Sequence, residues 1–150
     1  KPLVALAGRP QIDYALDRLR DAGVRRVVIN LHYLGGMIRD HLQARLQPEI
    51  IYSDESAQLL GPGGGVVKAL PLLGEQAFFV HNCDSFWQAD GGRIFRRMAD
   101  MWDDGRMDAL LLLAPLGAAS CFEGPGDYFM SGAGVLRRNS AKKSCSCGAA

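Results

Sequence analysis

An excess of charge of one sign is missing from this 150-residue chain: 17 lysines and arginines face 16 aspartates and glutamates, for a net charge of +1. With no basic excess there is nothing to neutralise a run of nucleic-acid phosphates, so nucleic acid is not an expected partner. Balanced charge with 48% hydrophobic residues also excludes a disordered chain. Long hydrophobic runs are missing too. The longest apolar stretch, around Ala109–Pro115, is about seven residues, far short of the roughly 18–20 needed to span a bilayer. Lys1-Pro2 is followed by only a few apolar residues, so no secretory leader is read there and the expected location is cytoplasmic. Cysteine is sparse, with four in all. Cys83 and Cys121 lie in patterned sequence, where a small buried thiol is expected. Cys145 and Cys147 form a C-x-C without the partner spacing of a zinc site.

Glycine, by contrast, is abundant: 18 residues, against a usual share of about 7%. The rest of the pattern alternates helix and strand. Ile12, Ala15, Leu16 and Leu19 recur at helical spacing within residues 10–22, and Gly23 suits a left-handed helix end. Leu34, Ile38 and Leu42 mark a second helix over 34–46, residues 65–70 a short one ending near Pro71, and Ile94, Met98, Met101 and Trp102 a long one over 91–103. Between them lie apolar runs expected to be strands: Arg25–Leu31, Glu49–Tyr52, Ala77–His81 and Asp108–Ala114. Strands that are apolar throughout are buried on both faces, and their alternation with helices predicts βαβ units and a mostly parallel sheet. The chain opens in a loop, and after Arg138 its composition shifts to Ser, Lys, Cys, Gly and Ala without periodicity. The expected organisation is therefore an incomplete domain over 1–138 and a disordered, unrelated tail over 139–150.

Several segments could carry chemistry. In open α/β sheets, ligands sit outside the carboxyl ends of the strands. Asp84 follows the strand at Ala77–His81 there, where one carboxylate can hold Mg²⁺ or cap a turn. Gly61-Pro62-Gly63-Gly64-Gly65 precedes the short helix; its backbone N–H groups could approach an anionic ligand, or the run could be a tight turn. It matches neither a P-loop nor a dinucleotide fingerprint, which leaves a nicotinamide-dependent dehydrogenase a weak third reading. Asn30 and His32 end the first strand, where they either line the crevice or satisfy local backbone groups. Asp54 and Glu55 read as solvated turn residues, and Arg93, Arg96 and Arg97 as a solvated helix face. His81 and Cys83 share a side of a strand without an orienting third group, so no nucleophile pair is read. Gly124-Pro125-Gly126-Asp127 is a second glycine-rich turn leading into a hairpin.

In order and spacing, these pieces resemble the sugar-phosphate nucleotidyltransferases, the nucleoside-diphosphate-sugar pyrophosphorylases. The likeness rests on Lys1-Pro2-Leu3-Val4, Ala7-Gly8-Arg9-Pro10, Val28-Ile29-Asn30-Leu31-His32, Gly63-Gly64-Gly65 before Val66-Val67-Lys68-Ala69-Leu70, and Asn82-Cys83-Asp84. Met107-Asp108-Ala109 and Gly124-Pro125-Gly126-Asp127-Tyr128-Phe129 point within it to the N-acetylmuramate-1-phosphate uridylyltransferase and mannose-1-phosphate guanylyltransferase-like branch. The resemblance covers residues 1 to about 138.

What the resemblance implies is a Rossmann-like three-layer sandwich. It also implies attack of a sugar 1-phosphate on the α-phosphorus of UTP or GTP, with Mg²⁺ as cofactor, as in making a cell-wall precursor. Lys1 matches the family's phosphate-contacting, catalytic lysine and Asp84 its metal-holding aspartate. Gly64, Gly65 and Asn82 match nucleotide-binding positions, and Gly126 and Asp127 sugar-binding ones. Three departures stand out. The family's glycine-rich triphosphate signature would end at residue 1, its second metal-binding aspartate has no counterpart, and Gly61-Pro62 replaces a Glu-Thr pair that bears on base selection. These departures leave a second expectation open: a non-catalytic nucleotide- or nucleotide-sugar-binding regulatory module of the same fold.

Overall fold

The computed structural model describes residues 1–85, 87, 92–119 and 124–139. Its first elements are two short strands, β1 (Ala5–Leu6) and β2 (Arg9–Pro10), paired antiparallel with Leu6 opposite Arg9. Ala7 and Gly8 between them both have positive φ (50° and 80°), the signature of a tight two-residue hairpin. Helix α1 (Gln11–Asp21) follows directly. It buries Ile12, Ala15, Leu16 and Leu19, the stripe its periodicity predicts. It ends as expected: Gly23 takes φ 92°, its N–H bonds to the Arg20 carbonyl at 2.8 Å, and the Val24 N–H reaches back to Leu19 at 3.0 Å.

Strand β3 (Arg26–Leu31), helix α2 (Gly35–Leu42) and strand β4 (Glu49–Asp54) form one βαβ unit. The strands pair in parallel, with Arg26 opposite Glu49 and Leu31 opposite Asp54. Side chains alternate across a strand. Val27, Ile29 and Leu31, with Ile50 and Tyr52, face the core made by Ile12 and Leu16 of α1 and Ile38 and Leu42 of α2. The opposite face of the pair receives helix α3 (Gly61–Leu73), whose Gly65 carbonyl is bonded by the Asn30 side chain. Helices thus cover both faces of a parallel pair, which is why the middle of each strand, Val27-Val28-Ile29 and Ile50-Ile51, is apolar on both faces.

Three charged side chains are drawn into this packing. Asp17 accepts hydrogen bonds from Arg9 (2.5 Å) and Arg45 (2.6 Å), tying α1 to β2 and to the chain after α2. Burial alone would raise the Asp17 pKa, but these two guanidinium bonds hold it below the usual carboxylate value.

The remaining architecture departs from expectation in three places. The glycine run 61–65 is not a loop before a short helix; it forms the first turns of α3, which also continues past Pro71 to Leu73. Pro62 sits in that first turn, where its fixed φ suits the helix and its missing N–H removes no bond. The strands expected at Ala77–His81 and Asp108–Ala114 form no ladder among the described residues, whose only parallel sheet is β3–β4. An apolar run becomes a strand only by hydrogen-bonding to a neighbour. Without one, Phe78, Val80, Leu111, Leu112 and Leu113 remain exposed. The larger, mostly parallel sheet is accordingly reduced here to a mixed α/β arrangement of small sheets.

Helix α4 (Arg93–Met101) lies between these two segments in the chain, and its Phe95 is buried. The chain divides into two compact units, Lys1–Leu110 and Leu111–Ala150. The second holds a 3₁₀ turn at Leu116–Ala118 and the expected hairpin of β5 (Tyr128–Met130) and β6 (Leu136–Arg138). Asn139, grouped by composition with the tail, is buried against this hairpin. Cys121 and the tail residues 140–150, including Cys145 and Cys147, lie outside the described residues.

Candidate active site

Lys1 and Asp84 lie 83 positions apart in sequence, yet the fold brings the Lys1 ammonium to 3.8 Å from the Asp84 carboxylate. Asp84 sits in a turn closed by a bond from the Ser85 N–H to the Asn82 carbonyl (3.2 Å). Both side chains remain open to solvent, at 85% and 47% exposure. An exposed ion pair adds little to stability, about 0–1 kcal/mol. The pair is therefore free to engage other charged groups. Cys83, next to Asp84, is kept as a neutral thiol: burial and then the Asp84 charge push its pKa up. That agrees with chemistry needing no cysteine nucleophile.

The second group of predicted residues lies where α3 meets the carboxyl ends of β3 and β4. Gly65 is buried and Gly64 half-buried in the first turns of α3. Asn30, left open between crevice and backbone roles, donates from its amide nitrogen to the Gly65 carbonyl (2.9 Å) and to the Glu55 carboxylate (2.5 Å). Glu55 was expected to be solvated; it is only 5% exposed. The reason lies in the parallel register. Glu55 continues β4 beyond Asp54, its N–H bonded to the Leu31 carbonyl at 2.6 Å, which directs it beside Asn30 rather than into water. His32 hydrogen-bonds through Nδ1 to the Glu55 carbonyl (2.7 Å). Lys68 of α3 donates to the Asp54 carbonyl.

A third cluster went unread in the sequence. The His81 ring packs against Trp87 (5.1 Å between centroids) and Phe95 (5.6 Å), while the buried Arg18 lies over Trp87 at 4.7 Å and donates to its carbonyl at 2.6 Å. The signal was available only as three isolated aromatics and one arginine on the apolar stripe of α1. Burial lowers the His81 pKa below its usual 6.5, the Arg18 charge adds to the shift and Asp84 opposes it. Between that lowered value and 6.5 the unfolded chain binds more protons than the folded one, so stability rises with pH across this window. The melting temperature is expected to fall as pH drops below about 6.5, and His81→Phe should flatten that slope in thermal melts between pH 5 and 8. An unchanged slope would remove His81 as its source.

The predicted sugar-side residues belong to the second unit. Gly126 has φ 83° and is buried, with Leu116 carbons 3.6 Å from where a Cβ would stand. Asn139 fixes this turn, donating from its side chain to the Gly126 (3.2 Å) and Pro125 (3.3 Å) carbonyls and from its N–H to the Asp127 carbonyl (2.8 Å).

The fold and its polar groups define a mixed α/β domain with polar side chains gathered at the carboxyl ends of a parallel strand pair, the edge at which such folds hold ligands. Residues 1–112 match the MobA-like NTP transferase domain, and the chain belongs to that family. It is 43% identical over 141 residues to the N-acetylmuramate alpha-1-phosphate uridylyltransferase of Caulobacter vibrioides, covering 91% of this chain and 58% of that protein. It is 40% identical over 103 residues to the protein of the same name from Neisseria meningitidis serogroup B, covering 67% of this chain and 45% of the other. With the mannose-1-phosphate guanylyltransferase catalytic subunit beta of Drosophila melanogaster it shares 34% identity over 89 residues, 56% of this chain and 24% of that one. The chain thus spans at most 58% of the length of these relatives. Among the described residues, no helix is long and apolar enough to cross a membrane, and no group of three His, Cys, Asp or Glu residues could hold a metal ion.

Proposed function

We propose that this chain carries the nucleotide-handling part of a sugar-1-phosphate nucleotidyltransferase, built on a Rossmann-like three-layer sandwich whose parallel sheet includes β3 and β4. The observation that carries the reading is the approach of Lys1 to Asp84, a cation and a carboxylate both open to solvent. A phosphate oxygen of the sugar 1-phosphate attacks the α-phosphorus of UTP or GTP, and the bond from that phosphorus to the bridging oxygen of pyrophosphate breaks. Such a displacement asks the protein for positioning and charge neutralisation rather than a nucleophile. Lys1 contacts phosphate oxygens. Asp84 fits Mg²⁺ as a lone protein carboxylate, because that ion keeps most of its positions for water and phosphate oxygens. When bound, Mg²⁺ neutralises charge on the phosphates. Gly64, Gly65 and Asn82 are the proposed nucleotide-binding positions, and Gly126 and Asp127 the proposed sugar-binding ones. Use of a nucleoside triphosphate supports a cytoplasmic location as part of this reading.

The names of the relatives suggest the substrates to try. The complete polypeptide containing this chain, given UTP or GTP with N-acetylmuramate 1-phosphate or mannose 1-phosphate, is expected to release pyrophosphate only when sugar phosphate and Mg²⁺ are both present. Nucleotide binding without pyrophosphate release in any combination would overturn the catalytic reading. If that binding also ignored Mg²⁺ and an Asp84→Ala change, the non-catalytic binding module would take its place.

A further inference from the structure

We propose that Asn30 and Glu55 are positioning residues for the nucleotide base: an amide–carboxylate clamp at the carboxyl ends of β3 and β4 that fixes the first turns of α3. The proposal rests on the nucleotidyl-transfer reading above, which gives the Gly64–Gly65 backbone its ligand.

Glu55 is a carboxylate at 5% exposure. A buried carboxylate is unfavourable unless its oxygens are hydrogen-bonded. Both Glu55 oxygens are directed at groups that define where α3 begins. One accepts from the Asn30 amide at 2.5 Å, and the other faces the N–H of Leu60, the residue preceding the helix, at 3.4 Å. A negative group at a helix start is also favoured by the helix dipole. The Asn30 amide nitrogen has two hydrogens, and its second partner is the Gly65 carbonyl at 2.9 Å. One side chain therefore couples strand β3, the residue after β4 and the second turn of α3.

Gly65 reports how close the clamp is. A Cβ at that position would lie 2.7 Å from the Glu55 carboxylate oxygen and 2.9 Å from the Asn30 amide nitrogen. No side chain fits there without displacing the clamp, and Gly65 does not have the positive φ that would otherwise call for glycine. The glycine is present to admit Asn30 and Glu55, not to give freedom to the backbone. Neither clamp residue needs to touch nucleotide; each acts through the placement of the glycine backbone.

The experiment uses the chain with Asn30→Ala, Glu55→Ala and the conservative Glu55→Gln, whose amide oxygen can still accept from Asn30. Hydrogen exchange is followed by peptide across 61–68 and, for comparison, across α1. Titration calorimetry measures binding of UTP, GTP and, separately, Mg-pyrophosphate, which carries no base. In the two alanine variants, exchange at 61–68 should quicken and the dissociation constant for UTP or GTP should rise about tenfold, the loss expected from one hydrogen bond to a charged group. Pyrophosphate affinity and α1 exchange should hold, and Glu55→Gln should retain most of the binding. A structural role alone would move both ligands together or neither. Wild-type binding of nucleotide with unchanged variant affinities overturns the clamp alone. A wild-type chain that binds neither UTP nor GTP overturns the nucleotidyl-transfer reading and base positioning with it. If Glu55→Ala fails to fold, Asn30→Ala and Glu55→Gln decide the matter by the same comparison.

Discussion

Replacing Asp84 with Asn is expected to lower Mg²⁺-dependent nucleotidyl transfer by the complete polypeptide about 10²–10³-fold, the usual size of losing one electrostatic contact to the developing charge. The substitution is nearly isosteric, and the side chain it alters is 47% exposed. What changes is charge. A neutral amide oxygen binds a divalent ion far less strongly than a carboxylate and loses the charge attraction to the Lys1 ammonium 3.8 Å away. The surviving Lys1 is 85% exposed and fully hydrated, so stability should change by no more than about 1 kcal/mol. Activity and stability are thus expected to separate: turnover collapses while the thermal midpoint stays in place. Excess Mg²⁺ should restore part of the lost rate if weakened ion binding is the cause. Transfer at the wild-type rate, measured as pyrophosphate release with UTP or GTP, would remove Asp84 from the site. A parallel fall in melting temperature would make it a structural aspartate instead.

The elements that could be read from sequence were those in which local pattern and tertiary packing agree. Helix α1 repeats apolar residues every three or four positions and is stopped by Gly23, and all of this recurs in the fold. The runs Val27-Val28-Ile29 and Ile50-Ile51 are β-branched and sit in the parallel pair. Where the two levels conflict, packing prevailed. Gly61 to Gly65 has some of the poorest helix formers available, yet Gly65 and Ala69 bury against β3 and β4, and that contact outweighs propensity. The converse holds at Phe78-Phe79-Val80 and Leu111-Leu112-Leu113, whose apolar content is that of a strand but which have no ladder partner among the described residues.

The candidate site divides in the same way. Lys1 and Asp84 were reachable through resemblance, and geometry adds that they meet. Glu55 was not, because a carboxylate beside Asp54 and Ser56 looks like any solvated turn. Its burial follows only from the register that sets Leu31 opposite Asp54, so that the next residue falls against Asn30. Polar residues at a strand's carboxyl end are decided by what the neighbouring strand and helix place beside them. A one-dimensional pattern does not contain that information.

Leu16→Ala is expected to destabilise the chain by about 2–5 kcal/mol, since the methyl groups removed lose their burial and leave a cavity that fixed neighbours cannot close. Leu16 is 2% exposed, and the side chains clustered with it come from three elements: Ile12 of α1, Leu31 of β3, and Ile38 and Leu42 of α2. No single element can move to fill the space without leaving the others. For a domain of this size each kcal/mol lowers the midpoint by about 2–4 °C, giving a drop of roughly 4–20 °C in a thermal melt. Leu46→Ala, at a leucine 89% exposed, serves as the comparison and should shift stability by less than about 0.5 kcal/mol. Equal midpoints for the two variants would show that α1 does not dock on the strand pair. The effect should also reach the site in a graded way. Leu31 lies next to Asn30, so the packing that seats β3 also seats the amide that holds α3. Well below its midpoint, Leu16→Ala should weaken nucleotide binding less than Asn30→Ala does. The cavity loosens the strand beneath the clamp, whereas the alanine at position 30 removes the hydrogen bonds themselves.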